Sequence, residues 1–307
     1  MSAGLLAPVT LIRTAKGRAA ILALAAITMA VEMGSLLAGA AVHVGSLPLS
    51  ASLVPSLVLL VALGVPASGR PADPDRLVPF WIAMAAGLGL GFTLFSRTGD
   101  AVDMVGLIVA AANEEVVFRF AVPLVVTSAL MVVRFPSRAA RVVGYVVGGT
   151  WWVLLPGHQA QTDGAASLVT YIAFAVISAL VVSRSRALIP MSVAHCVLNV
   201  ITIAALRGDI SSVGRSALSV CLLFLLVGTF AWPGDRAARR AAAAPDGSDE
   251  DLITDTVIDL RDGHRPTVQR GEEITWIAEP DRDPSASEPS EHQPSGVASP
   301  GRDPDPR

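Results

Sequence analysis

The feature that most constrains this chain is a succession of long apolar runs separated by short polar breaks. A hydrocarbon core about 30 Å thick needs roughly 20 apolar residues per helical crossing. Runs of that kind fall at 19–41, 49–66, 77–95, 102–133, 142–156, 165–182, 188–206 and 217–232. Hydrophobic residues make up 52% of the 307 and charged residues only 16%, far less charge than a soluble domain of this size carries. The expected fold is therefore all-α: a polytopic membrane bundle of about eight transmembrane helices.

Lysine and arginine alternate between the breaks. One set holds Arg13, Lys16 and Arg18, then Arg70 and Arg76, then Arg134, Arg138 and Arg141, then Arg184 and Arg186, then Arg236, Arg239 and Arg240; the other holds only Arg97, Arg207 and Arg215. Under the positive-inside rule this places both termini in the cytoplasm and requires an even number of crossings. The run 102–133 then counts as one span, tilted or kinked at Pro123. The first run is too long for the apolar part of a signal peptide and lacks a convincing cleavage site, so it reads as a retained helix of a multi-pass plasma-membrane protein in contact with lipid.

Beyond Trp232 the composition turns to Asp, Glu, Pro, Ser, Gly and Arg. Two regions follow: a membrane domain over 1–233 and a disordered, acidic and Pro-rich cytoplasmic tail over 234–307. Scattered hydrophobes between Leu252 and Ile277 could engage a partner, but none is identifiable. Cys196 and Cys221 lie in apolar runs and imply neither a disulfide framework nor a cysteine metal site. No basic patch with interleaved aromatics points to nucleic acid.

Function is carried by polar residues within the apolar runs, where each charge is costly unless paired or hydrated. In the fourth run stand Asn113, Glu114, Glu115 and Arg119. Glu115 and Arg119 are four apart and share a helix face, so Arg119 neutralises Glu115 while Glu114, rotated by about 100°, is left for another partner. The fifth run ends in Leu154-Leu155-Pro156-Gly157-His158, where Pro156 and Gly157 break the helix, and the seventh carries His195 and Asn199 on one face. A carboxylate beside an imidazole can take a proton from water, and a second imidazole with an amide can stabilise an oxyanion. Glu32 in the first run reads as a satisfied interior carboxylate, and Gly87, Gly89 and Gly91 as a surface for close helix approach.

These three motifs resemble the CPBP family of intramembrane glutamic endopeptidases, which includes the CAAX prenyl endopeptidases and abortive-infection relatives. The family pattern is Glu-Glu-x-x-x-Arg, Phe-x-x-x-His and His-x-x-x-Asn/Asp, and the chain matches it except that Leu154 stands where the family has Phe. The resemblance implies an endopeptidase acting without a cofactor on a membrane-associated peptide or protein. Glu114 would be the general base, assisted by His158; His195 and Asn199 would form the oxyanion site, and Glu115 and Arg119 would be positioning or structural residues. It also implies access from the cytosol. Depth is awkward, because His158 lies roughly 25 Å from the cytoplasmic end of its span and His195 only about 13 Å from the start of its own.

Two other readings use the same residues. In a zinc-dependent version His158, His195 and Glu114 would ligate metal, although no His-Glu-x-x-His motif is present. In a proton-coupled transporter or a noncatalytic scaffold the titratable groups would be a relay or packing, although no paired repeat of broken helices is visible. The bias toward Ala, Val and Arg, with Lys16 the only lysine, suggests a GC-rich bacterial genome and argues against a prenylated substrate.

Overall fold

The computed structural model describes residues 14–97, 101–162 and 164–232. The tail expected to be disordered, with the 252–277 stretch, lies outside the described residues.

Each of the eight apolar runs carries a helix. Helix α1 (Ala15–Ala38) leads into a hairpin of β1 (Ala41–Val44) and β2 (Leu47–Ser50), followed by α2 (Leu53–Leu63) and α3 (Leu77–Arg97). Next come α4 (Ala101–Val116), a π-helical turn (Val117–Ala121) and α5 (Val122–Val132), forming one continuous rod. The chain continues through α6 (Ser137–Val153), the short α7 (Pro156–Ala160), α8 (Ala165–Ser185), α9 (Leu188–Leu206) and α10 (Ser212–Leu226), which ends in a second π turn (Val227–Ala231).

Among the described residues six helical segments are long and apolar enough to cross a membrane; the three shorter helices are α2 with 11 residues, α6 with 17 and α7 with five. The run 49–66 yields a short helix because its first residues pair in the hairpin and Gly64 ends α2 with a positive φ of 49°. At about 1.5 Å per residue, α2 rises roughly 16 Å and does not span a bilayer by itself.

The fourth run is a single element despite Pro123. The π turn just before it widens the helix: the Val122 amide bonds to the Val117 carbonyl, five residues back. Pro123, with no N–H to offer, then sits in the first turn of α5, where none is needed.

The centre of the bundle is α9, 78% buried along its most apolar stretch, together with the α4–α5 rod at 67%; the other spans reach only 17–44% and present apolar side chains outward. Small residues bring the inner helices together. In α3, a Cβ at Gly87 would meet Val197 at 2.7 Å and one at Gly91 would meet Met104 at 2.7 Å, whereas Gly89 faces open space. Gly144 and Gly148 of α6 lie against Thr127, Pro123 and the Phe118 carbonyl, which seats α6 directly on the π turn. That contact carries Trp151 and Trp152 over the polar motif.

Candidate active site

Glu114 occupies the last turn of α4, just ahead of the π turn. Three nitrogens converge on one of its two oxygens. The Trp152 indole donates to Glu114 Oε2 at 2.7 Å, His158 Nε2 lies 3.2 Å from it and His195 Nε2 3.7 Å. Oε1 makes no hydrogen bond among the described residues. The side chain is 23% exposed, into a cavity of about 340 Å³ that His158, Gln161, Asn113 and Asn199 help to line. One oxygen is thus held and the other presented.

His158 reaches the carboxylate because the chain breaks after α6. Leu154 closes the helix, Pro156 starts α7, and the turn brings His158 back against Trp152. His158 Nδ1 lies 2.7 Å from the Trp152 carbonyl oxygen. A carbonyl only accepts, so Nδ1 carries a proton and donates it, leaving Nε2 to share one proton with Glu114 Oε2. The ring is braced at 4.3 Å by Trp152 and at 5.2 Å by Tyr171. Leu154, the departure from the family pattern, is 62% exposed on the outer surface, and the aromatic contact to His158 comes from Trp152. Trp152 was not singled out in the sequence. Its signal is an indole N–H in an apolar helix, which needs an acceptor when buried.

Behind Glu114 lies a second, enclosed set. Glu115 and Arg119 are both fully buried, with Arg119 Nε 3.8 Å from Glu115 Oε2, so the expected i, i+4 pair is present across the π turn. Arg119 Nε also donates to Ser178 Oγ of α8, and the guanidinium lies 4.8 Å from the centre of the Trp152 ring. His195 bridges the two carboxylates, with Nδ1 3.0 Å from Glu115 Oε1 and Nε2 turned toward Glu114. Neither contact is a formed hydrogen bond: Nδ1 is within range of Glu115 but not aligned with it, and Nε2 is too far from Glu114.

His195 and Asn199 share a helix face as expected, but at different depths. Asn199 lines the cavity, while His195 is completely buried behind Glu114.

Glu32 is a satisfied interior carboxylate, as its sequence context suggested. It accepts from Ser52 Oγ at 2.6 Å; that hydroxyl in turn accepts from Asn113 Nδ2 at 3.0 Å, and Ser56 donates to Asn113 Oδ1. The network joins α1, α2 and α4 on the cavity wall next to Glu114.

Glu114, His158 and His195 each offer a ligand atom within 4.8 Å of the others, so this set could hold a metal ion. The remaining imidazole nitrogens face the Trp152 carbonyl and Glu115, the kind of outer partner that orients metal-binding histidines. The bond from Trp152 competes for the same glutamate oxygen.

No curated protein and no solved structure matches the chain. Residues 100–201, which contain all three motifs, match the family model described as type II CAAX prenyl endopeptidase Rce1-like, which makes this segment of the multi-pass membrane protein a CAAX-protease-like domain.

Proposed function

We propose that the protein is a glutamic-type intramembrane endopeptidase that hydrolyses a peptide bond of a membrane-associated peptide or protein with water activated by Glu114. The observation that carries this reading is the asymmetry of the carboxylate: Oε2 is held by Trp152 and His158 with His195 behind it, while Oε1 opens into a cavity large enough for a peptide segment.

In this reading a water bound at Oε1 gives a proton to the Glu114–His158 pair as its oxygen attacks the peptide carbonyl carbon. The carbonyl oxygen becomes an oxyanion, and the Asn199 amide, on the cavity wall, donates to it. When the tetrahedral intermediate collapses, the C–N bond breaks and the pair returns the proton to the leaving amine. Positioned acid–base catalysis of this kind contributes typically 10²–10⁴-fold. His195, buried behind the carboxylate, acts on Glu114 rather than meeting the substrate, a smaller role than the oxyanion function its motif implied. Glu115 and Arg119 hold His195 and the π turn in place. No cofactor takes part.

The test is cleavage of a quenched-fluorescence peptide library by the purified full chain in detergent, for wild type and Glu114→Ala, with and without a strong chelator. Cleavage that disappears in Glu114→Ala and persists in chelator supports the proposal. Cleavage abolished by chelator and restored by a divalent metal overturns it in favour of a metalloprotease.

A further inference from the structure

The two ends of the bundle differ in charge, and the cavity opens at only one of them. At the first end lie the start of α1, the segment between α2 and α3, the α5–α6 turn and the α8–α9 turn. These positions are tied together: the Arg70 amide bonds to the Ser185 carbonyl, Arg76 to the Gly228 carbonyl and Arg184 to the Ala231 carbonyl. Among the described residues this end carries Lys16, Arg18, Arg70, Arg76, Arg134, Arg138, Arg141, Arg184 and Arg186. The opposite end, with the hairpin, the α3–α4 junction, α7 and the α9–α10 turn, carries only Arg97, Arg207 and Arg215.

Every wall of the cavity leads to the arginine-poor end. Leu36 lies in the last turn of α1, Pro48 in the hairpin, Pro156 and Gln161 in and just after α7, and Ile203 in the last turn of α9. The hairpin that forms the rim is fastened there, since the Ser46 amide and hydroxyl both donate to Asp103 at the start of α4.

Toward the arginine-rich end the site is closed. Ala187, Leu188, Met191 and Ala194, between the α8–α9 turn and His195, are all at most 2% exposed. Gly69, at a φ of 79°, packs so closely on Ala187 that a Cβ would come within 2.5 Å of it. The start of α9 is therefore covered by the segment after α2. His195, seven residues from the start of its helix, is thus screened from the arginine-rich end by packed protein.

Because short loops rich in Lys and Arg stay in the cytoplasm, we propose that the catalytic cavity opens on the extracytoplasmic side of the membrane and takes a peptide segment presented at that face. This deepens the protease reading and rests on it only for what is done to the peptide. It replaces the cytosolic access implied by the family resemblance. Substrates are then translocated peptides or the outer ends of membrane segments, not cytosolic tails.

The test is site-specific labelling of the full chain in spheroplasts, in a Cys196→Ala, Cys221→Ala background, with a charged, membrane-impermeant maleimide. Gly157→Cys places a thiol on the cavity wall, where a Cβ meets nothing within 4 Å, and Gln159→Cys, on the exposed side of α7, guards against a local folding defect at 157. Arg138→Cys reports the arginine-rich end. The expected result is labelling at 157 and 159 in intact spheroplasts about tenfold faster than at 138, with 138 reacting fully only after permeabilisation. Labelling of 138 from outside, or of 157 and 159 only after permeabilisation or not at all, overturns the proposal. Labelling does not require proteolysis, so failure here and failure of the cleavage assay are distinguishable.

Discussion

The indole of Trp152 donates to Glu114 Oε2 at 2.7 Å, and the carbonyl of the same residue accepts from His158 Nδ1 at 2.7 Å. A single residue thereby fixes both members of the proposed general-base pair, one through its side chain and one through its backbone. Trp152→Phe keeps the ring under His158 but removes the N–H. A hydrogen bond to a charged group is worth about 1.5–3 kcal/mol, so kcat/KM is expected to fall by about 10- to 100-fold with the fold intact. Steady-state cleavage beside a thermal melt checks it; unchanged kinetics would remove Trp152 from the site.

Glu114 and Glu115 are adjacent in sequence but differ in consequence. Glu114→Gln keeps the Trp152 bond and is expected to lower cleavage by about 10²–10⁴-fold, with a melting temperature close to wild type. Glu115→Gln leaves Arg119 buried without its carboxylate, which costs on the order of 3–5 kcal/mol and shows as a lower melting temperature. Glu115→Gln combined with Arg119→Met is expected to be more stable than either single variant, as read from a double-mutant cycle in detergent.

Glycines on different helix faces give opposite outcomes. Gly148 faces the Phe118 carbonyl, and an added methyl there forces α6 off the π turn, so Gly148→Ala is expected to destabilise by about 1–3 kcal/mol. Gly89 meets nothing within 4 Å, and Gly89→Ala is expected to be neutral or to stabilise by up to about 1 kcal/mol through helix propensity. Thermal melts of the two variants decide this.

Leu154 replaces the aromatic of the family motif, yet its side chain is exposed on the outer face of the bundle. Leu154→Phe is expected to leave both cleavage rate and stability unchanged within about 0.5 kcal/mol. A large gain in rate would show that the ring at 154 acts on the site.

Much of this was legible in the sequence, because long apolar runs mark the place of each helix in a membrane, although six segments rather than eight are long enough to cross it. The pairing of Glu115 with Arg119 and the separation of Glu114 from it followed from helical periodicity. Trp152 was not legible, since its role depends on a chain reversal at Pro156 that no periodicity reports. The different depths of His195 and Asn199 were hidden for a related reason: a shared helix face does not reveal which of two turns meets a cavity. The shortness of α2 is hidden in the sequence because the residues that pair in the hairpin are as apolar as those of a helix.

The central claim is that Glu114 delivers a water molecule directly to the peptide carbonyl. Single-turnover cleavage of an identified substrate in water enriched in oxygen-18, with mass analysis of the new C-terminus, tests it for wild type and Glu114→Gln. The account expects wild type to place one solvent oxygen in the new carboxylate in chelator as in its absence, and Glu114→Gln to form no product on the same timescale. Product from Glu114→Gln at the wild-type rate would contradict it.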